Sequence, residues 1–196
     1  MKASGCYEDL FREYPKEVIL NDGTGVTLRQ LRDGDGACLH DMFARFSSDD
    51  IWFLNHDVSD PEKTASWIRH LDPSRVVSIV ALLEGRIIAN AALMRKRFGA
   101  KSHIGKVRIA VEPGFREKRL ATWMLLELIN LGMHMGLRTL VMRLASDRDQ
   151  SIIRAVTRLG FEQGSLLRGY LRDRYGVPQD LVLMTKDLRQ GFFDEK

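Results

Sequence analysis

Apolar and polar residues alternate on both sides of a polar turn near the beginning of the chain. In "KEVILNDGTGVTLRQL" the alternation runs up to Leu20 and resumes at Val26. Alternation with a period of two is typical of β-strands that bury one face, and Asn, Asp and Gly tolerate the positive φ of a tight turn. The pattern therefore predicts a β-hairpin whose turn lies in "NDGTG".

Two helices are predicted after the hairpin. The apolar residues of "ACLHDMFARF" recur at helical spacing, and Asp33 or Asp35 is placed to cap this helix. The second helix lies in "SDPEKTASWIRHL", where Asp60 is the expected cap. Pro61 then occupies the first helical position and Glu62 the first turn, which is the usual order at a helix start.

Strand patterns dominate from residue 75 onward, with two helical segments among them. "VVSIVALL" and "IIANAALMRK" flank the turn "EGR", and "KVRIAV", "RTLVMRLA" and "YLRDRYGVPQDLVLMTKDL" supply the other strands. The apolar segment "LATWMLLELINLGMHMGL" contains Glu127, Asn130 and His134, which favours a buried helix over a membrane span. "DQSIIRAVTRLG" predicts the last helix. Helices inserted into an otherwise antiparallel series predict an α/β or α+β domain with a mixed sheet.

Size and charge limit the number of domains and the classes of partner. With 196 residues, 44% of them hydrophobic, the chain can bury one substantial core, and we expect a single domain over residues 16–196 after an N-terminal extension, 1–15. Its 30 basic and 26 acidic residues give a formal net charge of only +4. The basic run "RKRF" lacks the interleaved aromatic residues of a base-stacking surface, so binding of nucleic acid is not expected.

The cysteines and the N-terminal sequence favour a cytoplasmic protein. Cys6 and Cys38 have no metal-binding or redox spacing and are too few for a disulfide framework. "MKASGCYEDLFREYPKE" carries charges throughout and has no apolar segment of the kind that a signal peptide contains. We therefore expect reduced thiols, no metal site and no association with a membrane.

Ligand chemistry is most strongly indicated in "VEPGFREKRLATWM", residues 111–124. This segment predicts a strand that passes through a basic turn into a helix. A helix start offers backbone N–H groups without partners and about half a positive charge, which suits a phosphate. The turn adds Arg116, Lys118 and Arg119, and Thr122 offers a hydroxyl, so the sequence predicts an anion site here.

The order of elements and three motifs resemble the GNAT acetyltransferase superfamily from about Val26 to Asp187. "REKRLA" corresponds to the acetyl-CoA loop, patterned [QR]-x-x-G-x-[GA]. "DQSIIRAVTRLGF" is similar to the family segment N-x-x-A-x-x-x-Y-x-x-x-G-F, and "GYLRDRYGVPQDLVLMTKDL" to the closing hairpin. The opening segment also resembles protein lysine acetyltransferase domains found fused to acyl-CoA synthetases or cyclic-nucleotide-binding modules.

The resemblance implies a GNAT-type fold, with a mixed and mostly antiparallel sheet of about seven strands flanked by about four helices. It also implies acetyl-CoA as cosubstrate, without a metal. The residues implied in cofactor binding are Ile109, Ala110 and Val111, then Arg116, Glu117, Lys118, Arg119, Leu120, Ala121 and Thr122, and finally Asp149 and Ile152.

The catalytic groups of the family are the least well matched. Lys106 stands where many protein acetyltransferases of the family place a glutamate base, and Val156 stands where a tyrosine is the frequent general acid. Glu112 is the substitute base that we consider first, and the alternative is a solvated carboxylate that pairs with Arg116 or Arg119. Tyr170 could border the site, or it could be an ordinary core or rim residue.

Arg119 is a clear departure from the loop pattern, because glycine usually occupies this position. If the residue were already helical, arginine would be tolerated and its guanidinium could fold over the phosphates. If the position required positive φ, arginine would cost about 1–2 kcal/mol. The helical pattern of "KRLATWMLLELI" predicts a helix from about Lys118 and therefore favours the tolerant case.

The resemblance implies an N-acetyltransferase that moves the acetyl group of acetyl-CoA directly to a primary amine in a ternary complex. The acceptor would be a small molecule or a protein, through a lysine or an N-terminus. The missing glutamate and tyrosine leave open an alternative, in which a non-catalytic domain binds acyl-CoA as a sensor or scaffold. Formation of a homodimer is a further expectation for which the sequence gives no direct evidence.

Overall fold

A computed structural model describes residues 10–54, 58 and 60–189. Cys6 and most of the expected N-terminal extension lie outside these residues. The chain divides into two compact units. The first unit comprises Met1–Met94 and Arg108–Leu128, and the second comprises Arg95–Val107 and Ile129–Lys196. The boundary falls within two elements, a strand and a long helix, so each unit contains part of both.

Four antiparallel strands form most of the sheet in the first unit. They are β1 (Lys16–Ile19), β2 (Gly25–Gln30), β3 (Val76–Leu83) and β4 (Arg86–Arg95), in that order. The first two form the predicted hairpin around "NDGTG", in which Gly23 has a φ of 86°. The next two join through a tight turn at Glu84 and Gly85, which both have positive φ.

Three helices belong to the first unit. They are α1 (Gly36–Ala44), α2 (Ser48–Trp52) and α3 (Pro61–Arg69). Their apolar residues pack with those of β3 and β4 in a core cluster that includes Leu39, Met42, Phe43, Ile68 and Val80. Burial of such a surface is the main favourable contribution to folding, which explains why the spacing of apolar residues predicted α1 and α3.

The two predicted helix caps differ in the structure. The Asp60 carboxylate accepts a hydrogen bond from the Glu62 amide at 2.8 Å, as expected for the residue before α3. Asp35 precedes α1, but its carboxylate makes no capping bond to that helix. Instead it accepts two hydrogen bonds from Arg29, of 2.6 and 2.8 Å, and one of 2.7 Å from the amide of Arg32.

Strand β5 (Ile104–Val111) and helix α4 (Leu120–His134) cross the boundary between the units. The second unit also contains β6 (Thr139–Ala145), α5 (Gln150–Arg158), β7 (Glu162–Arg172) and β8 (Pro178–Asp187). In this unit the strand order is β5-β6-β8-β7, and only the β5–β6 pair is parallel among the strand registers of the described residues. The sheet is therefore mixed and mostly antiparallel.

The predicted fold class is confirmed. The described residues form eight strands and five α-helices, where about seven strands and about four helices were expected. The additional helix is α2, five residues long and too short to show helical periodicity in the sequence. Within the described residues, no helix is both long enough and apolar enough to cross a membrane. Cys38 is a free and exposed thiol.

Candidate cofactor and active site

The loop between β5 and α4, residues 112–119, contains two residues with left-handed backbone conformation. After a short 3-10 turn at Pro113–Phe115, Glu117 has a φ of 63° and Arg119 a φ of 65°. The helix begins at Leu120. The prediction that Arg119 is already helical is therefore wrong. The change of direction between strand and helix is made by the residues just before Leu120, and a left-handed arginine costs about 1–2 kcal/mol.

This backbone conformation leaves a row of amides available. Within the described part of the chain, the N–H groups of residues 117–122 donate to no backbone or side-chain acceptor. The last three belong to the first turn of α4, where amides lack partners in any helix, and the first three precede it. Successive free N–H groups around left-handed residues form an anion-binding concavity, and the helix dipole adds to its positive potential.

The three basic side chains of the loop have different surroundings. The Arg116 guanidinium forms an ion pair with Asp50, with 3.0 Å between Nη2 and Oδ2, and its Nε donates to the Val111 carbonyl at 3.2 Å. Lys118 pairs with Asp22 at 2.9 Å. Arg119 is exposed and has no side-chain partner among the described residues. Of the three, Arg119 is the one whose charge is available to an incoming anion.

The β1–β2 turn supports this loop from one side. The amide of Asn21 donates to the Lys118 carbonyl at 3.4 Å, and its side chain donates to the Glu117 carbonyl at 3.4 Å. The indole of Trp123 donates to the Ile19 carbonyl at 3.3 Å. The Lys118 ion pair lowers the pKa of Asp22 to about 2, with help from hydrogen bonds to Thr24. The turn thus holds the two carbonyls that lie between the left-handed residues Glu117 and Arg119, which helps to maintain their conformation.

Glu112 is buried between two arginines. Its side chain is 10% exposed, Arg45 Nε lies 3.0 Å from Oε2, and Arg86 Nη1 lies 3.1 Å from Oε1. Its amide donates to the Ile88 carbonyl at 2.9 Å. The alternative expected from the sequence, a solvated carboxylate paired with Arg116 or Arg119, is wrong, because Glu112 is buried and has other partners. Its role as a base remains a prediction.

Three of the residues implied in cofactor binding lie at the end of β5. Ile109, Ala110 and Val111 are all half-buried, and Ala110 packs against the core cluster of the first unit. The carbonyl of Val111 is the acceptor for Arg116. Ala121 and Thr122 lie in the first turn of α4, and the side chain of Leu120 points into the core with 1% exposure. The backbone of Leu120, and not its side chain, faces the loop.

The predicted site residues of the second unit have local roles. The Asp149 carboxylate accepts a hydrogen bond from the Ala145 amide at 2.8 Å and so links the end of β6 to the start of α5. Ile152 is on α5 and is 42% exposed. Val156, at the tyrosine position of the motif, is buried. Tyr170 is 59% exposed on β7, the edge strand, so it is not a core residue.

The sequence and the fold were compared with known proteins. A model of the Acetyltransferase (GNAT) family matches residues 39–161, which is more than half of the chain. The chain belongs to the GNAT acetyltransferase family. The match includes the loop with its free amides, α5 and the Gly160–Phe161 pair that ends the second motif. No sequence among the curated proteins matches.

Solved GNAT structures confirm the fold. A GNAT acetyltransferase from Streptococcus pneumoniae aligns with a TM-score of 0.73 at 20% identity, over 83% of this chain and 99% of that one. The yncA acetyltransferase of Salmonella typhimurium, solved with acetyl-CoA, aligns with a TM-score of 0.71 at 20% identity, over 87% of this chain and 98% of that one. The GNAT domain of S. lividans PAT aligns with a TM-score of 0.73 at 17% identity, over 90% of this chain and 98% of that one.

Several residues around the GNAT loop were not predicted from the sequence. Asp50 forms an ion pair with Arg116, and Arg45 forms one with Glu112. The residues after Arg116 are contacted by Asn21 and Asp22. Asp50 and Arg45 are far from the loop along the chain, and no spacing or motif connects them with it. Asn21 and Asp22 were visible only as turn residues, because nothing in a hairpin pattern shows what the turn contacts.

Proposed function

We propose that this GNAT protein transfers the acetyl group of acetyl-CoA to a primary amine. The supporting observation is the loop over residues 112–119, in which two left-handed residues precede a helix start and six successive amides are available. A pyrophosphate is the group that such a row of donors suits best. Arg119 adds an exposed cation without an internal partner among the described residues.

Direct transfer has three chemical requirements. The amine nitrogen must be neutral when it attacks the thioester carbon, the carbonyl oxygen must be polarised as it gains charge, and the CoA thiolate must leave. Backbone N–H groups of Ile109–Val111 are the candidates for the second requirement. The third is modest, because a thiol of pKa about 8.5 leaves readily as thiolate. No covalent intermediate on the protein is needed.

The first requirement bears on the choice of acceptor. Deprotonating a lysine of pKa about 10.4 at pH 7 costs about 4–5 kcal/mol, whereas an α-amine of pKa near 8 costs only about 1 kcal/mol. Glu112, the candidate base, is already paired with Arg45 and Arg86. An N-terminus or another weakly basic amine is therefore the acceptor that needs least from the protein. The resemblance of the opening segment to protein lysine acetyltransferase domains favours a protein lysine instead.

A second candidate function is an acyl-CoA sensor or scaffold without catalysis. Two observations favour it: Lys106 occupies the usual position of the base, and Glu112 is held in ion pairs. Both candidates require CoA binding and differ only in turnover. The same protein preparation can therefore decide between them.

Titration calorimetry with CoA is the first experiment. Micromolar to submillimolar binding supports both candidates, and no heat of binding at millimolar CoA would exclude both. Arg119→Glu is expected to weaken binding at least tenfold, while Arg97→Glu, a charge reversal in an exposed loop of the second unit, is the matched control. Equal affinities for these two variants would contradict the proposed contact between Arg119 and phosphate.

Release of CoA thiol over a panel of amines then separates the enzyme from the sensor. The panel should include peptides with only a free N-terminus, peptides with only a free lysine, and small weakly basic amines. Turnover with α-amines at pH 7, and with lysine only at higher pH, is the expected result. A protein that binds CoA but releases no thiol with any acceptor would be the sensor.

A further inference from the structure

Two ion pairs of opposite polarity connect the β5–α4 loop to the segment that leads from the end of α1 into α2. We call this segment, residues 45–50, the elbow. Arg45 at the end of α1 pairs with Glu112, and Asp50 in α2 pairs with Arg116, both at 3.0 Å. Each pair has one carboxylate with a side-chain exposure of only 10%. The elbow therefore holds the loop at two points, one before and one after the 3-10 turn.

Arg116 is fixed by three different contacts. Besides the ion pair with Asp50, its Nε donates to the carbonyl of Val111 at 3.2 Å. Its guanidinium also lies over the ring of Phe46, another elbow residue, 5.6 Å from the centroid. Cation–π contact and a charge-assisted hydrogen bond both favour this one orientation. The guanidinium is thus directed at the elbow and bound there before any ligand arrives.

The elbow side of these contacts is also well ordered by hydrogen bonds. The Asp50 carboxylate accepts from the Ser47 hydroxyl at 2.8 Å, and the Asp50 amide donates to the same hydroxyl at 3.1 Å, which caps α2. Arg45 donates from Nη2 to the carbonyl of Ile87 at 3.2 Å, so it joins the elbow to β4 as well as to Glu112. Both partners of the loop are therefore held in place by their own surroundings.

We propose that Asp50 and Arg45 are positioning residues for the CoA site, acting through Arg116 and Glu112. This inference rests on the proposed function. The row of amides exists only while Glu117 and Arg119 keep their left-handed conformations, each of which is unfavourable for a residue with a side chain. Arg116 immediately precedes them, and fixing it restricts the ways in which the loop can relax. The elbow thus preorganises the donors for a pyrophosphate.

The opposite interpretation is that Arg116 itself binds phosphate and that Asp50 competes for it. The two interpretations differ in sign for one substitution. If Asp50 positions the loop, removing its charge weakens the binding of CoA. If Asp50 competes, removing its charge frees Arg116 and strengthens the binding. Asp50→Asn is nearly isosteric and keeps an oxygen for Ser47, so the helix cap remains.

The experiment is a double-mutant cycle on CoA affinity in the full-length protein. Asp50→Asn and Arg116→Gln are each expected to weaken binding about tenfold, or about 1.4 kcal/mol. The double variant should be no weaker than the single variants, because both substitutions remove the same charge–charge interaction. Arg116→Lys, which keeps the charge, should recover part of the affinity. Asp147→Asn and Arg97→Gln, at exposed positions of the second unit, are the matched controls.

A second measurement separates positioning from general destabilisation. The KM for acetyl-CoA should rise in Asp50→Asn while kcat at saturation and the melting temperature stay within about twofold and about 3 °C of the parent protein. Binding of pantetheine, which lacks the pyrophosphate, should not change. Parental or tighter CoA affinity in Asp50→Asn, additive losses in the double variant, or an equal loss for pantetheine would each overturn the inference. No CoA binding by the parent protein would overturn the proposed function as well.

Discussion

The left-handed conformation of Arg119 predicts which of two variants, Arg119→Gly or Arg119→Ala, has the larger free energy of unfolding. Replacing the exposed Arg119 by alanine or by glycine removes the guanidinium in both cases, so the two variants differ by one Cβ, which decides how the backbone tolerates φ of 65°. Glycine avoids the left-handed cost of about 1–2 kcal/mol. It also gives the unfolded chain more freedom, which takes back about 0.4–1 kcal/mol. Arg119→Gly should therefore be more stable than Arg119→Ala by about 1 kcal/mol.

A helical Arg119 would give the reverse order. In the interior of a right-handed helix, glycine is less stable than alanine by about 1 kcal/mol. Ala155 provides the matched control, because it is an exposed residue within α5. Ala155→Gly is expected to lose about 1 kcal/mol. The same chemical difference, alanine against glycine, should thus have opposite signs at the two positions.

Urea unfolding followed by far-ultraviolet circular dichroism measures both differences, without CoA, so that ligand binding does not contribute. For a chain of this size, about 1 kcal/mol corresponds to a change of about 2–4 °C in melting temperature, which calorimetry can check. Equal m-values would show that the variants unfold in the same way. If Arg119→Ala proves as stable as Arg119→Gly or more so, the left-handed assignment, and with it the row of amides, is refuted.

Two further predictions concern ion pairs. Glu112→Gln should lower the free energy of unfolding by about 1–3 kcal/mol. This loss is smaller than for a fully buried ion pair, because Arg45 and Arg86 are partly exposed. A urea midpoint equal to that of the parent protein would contradict this prediction. Burial would raise the pKa of Asp35, but hydrogen bonds from Arg29 and the Arg32 amide outweigh it and lower the pKa. The stabilisation by the Asp35 carboxylate is therefore present above its unfolded pKa of about 3.9 and is lost as the pH falls. The melting temperature of Asp35→Asn should be lower than that of the parent protein at pH 7. It should also depend less on pH than that of the parent between about pH 5 and 2.

Asp35 also shows what a local sequence pattern can and cannot predict about a residue. Asp35 is one of the two residues, with Asp33, that the sequence placed before α1, and this position was predicted because the apolar spacing of the helix fixes where the helix begins. Its hydrogen-bond partners were not, because Arg29 lies on the preceding strand and competes for the same carboxylate. An aspartate before a helix has the chemistry of a cap, and tertiary structure decides whether the cap bond forms.

The sequence by itself determined the features that depend on neighbouring residues. Periodicity gave the hairpin, the helices α1, α3, α4 and α5 and most of the strands, and the order of Asp60, Pro61 and Glu62 gave the start of α3. It also predicted an anion site in the loop before α4 and identified the family that the comparison confirmed. These inferences hold because hydrogen bonding within helices and turns, and alternation along strands, act over a few residues.

Only the tertiary structure decided the conformation and the partners of the loop. Helical propensity extended α4 back to Lys118, but the path from β5 to the helix, and the contacts of Asn21 and Asp22, place Arg119 in the left-handed region. In the same way Glu112 forms ion pairs with one arginine just after α1 and another at the start of β4, which no local pattern brings together. Charge and backbone strain depend on which segments meet in space, and that information is distributed over the whole fold.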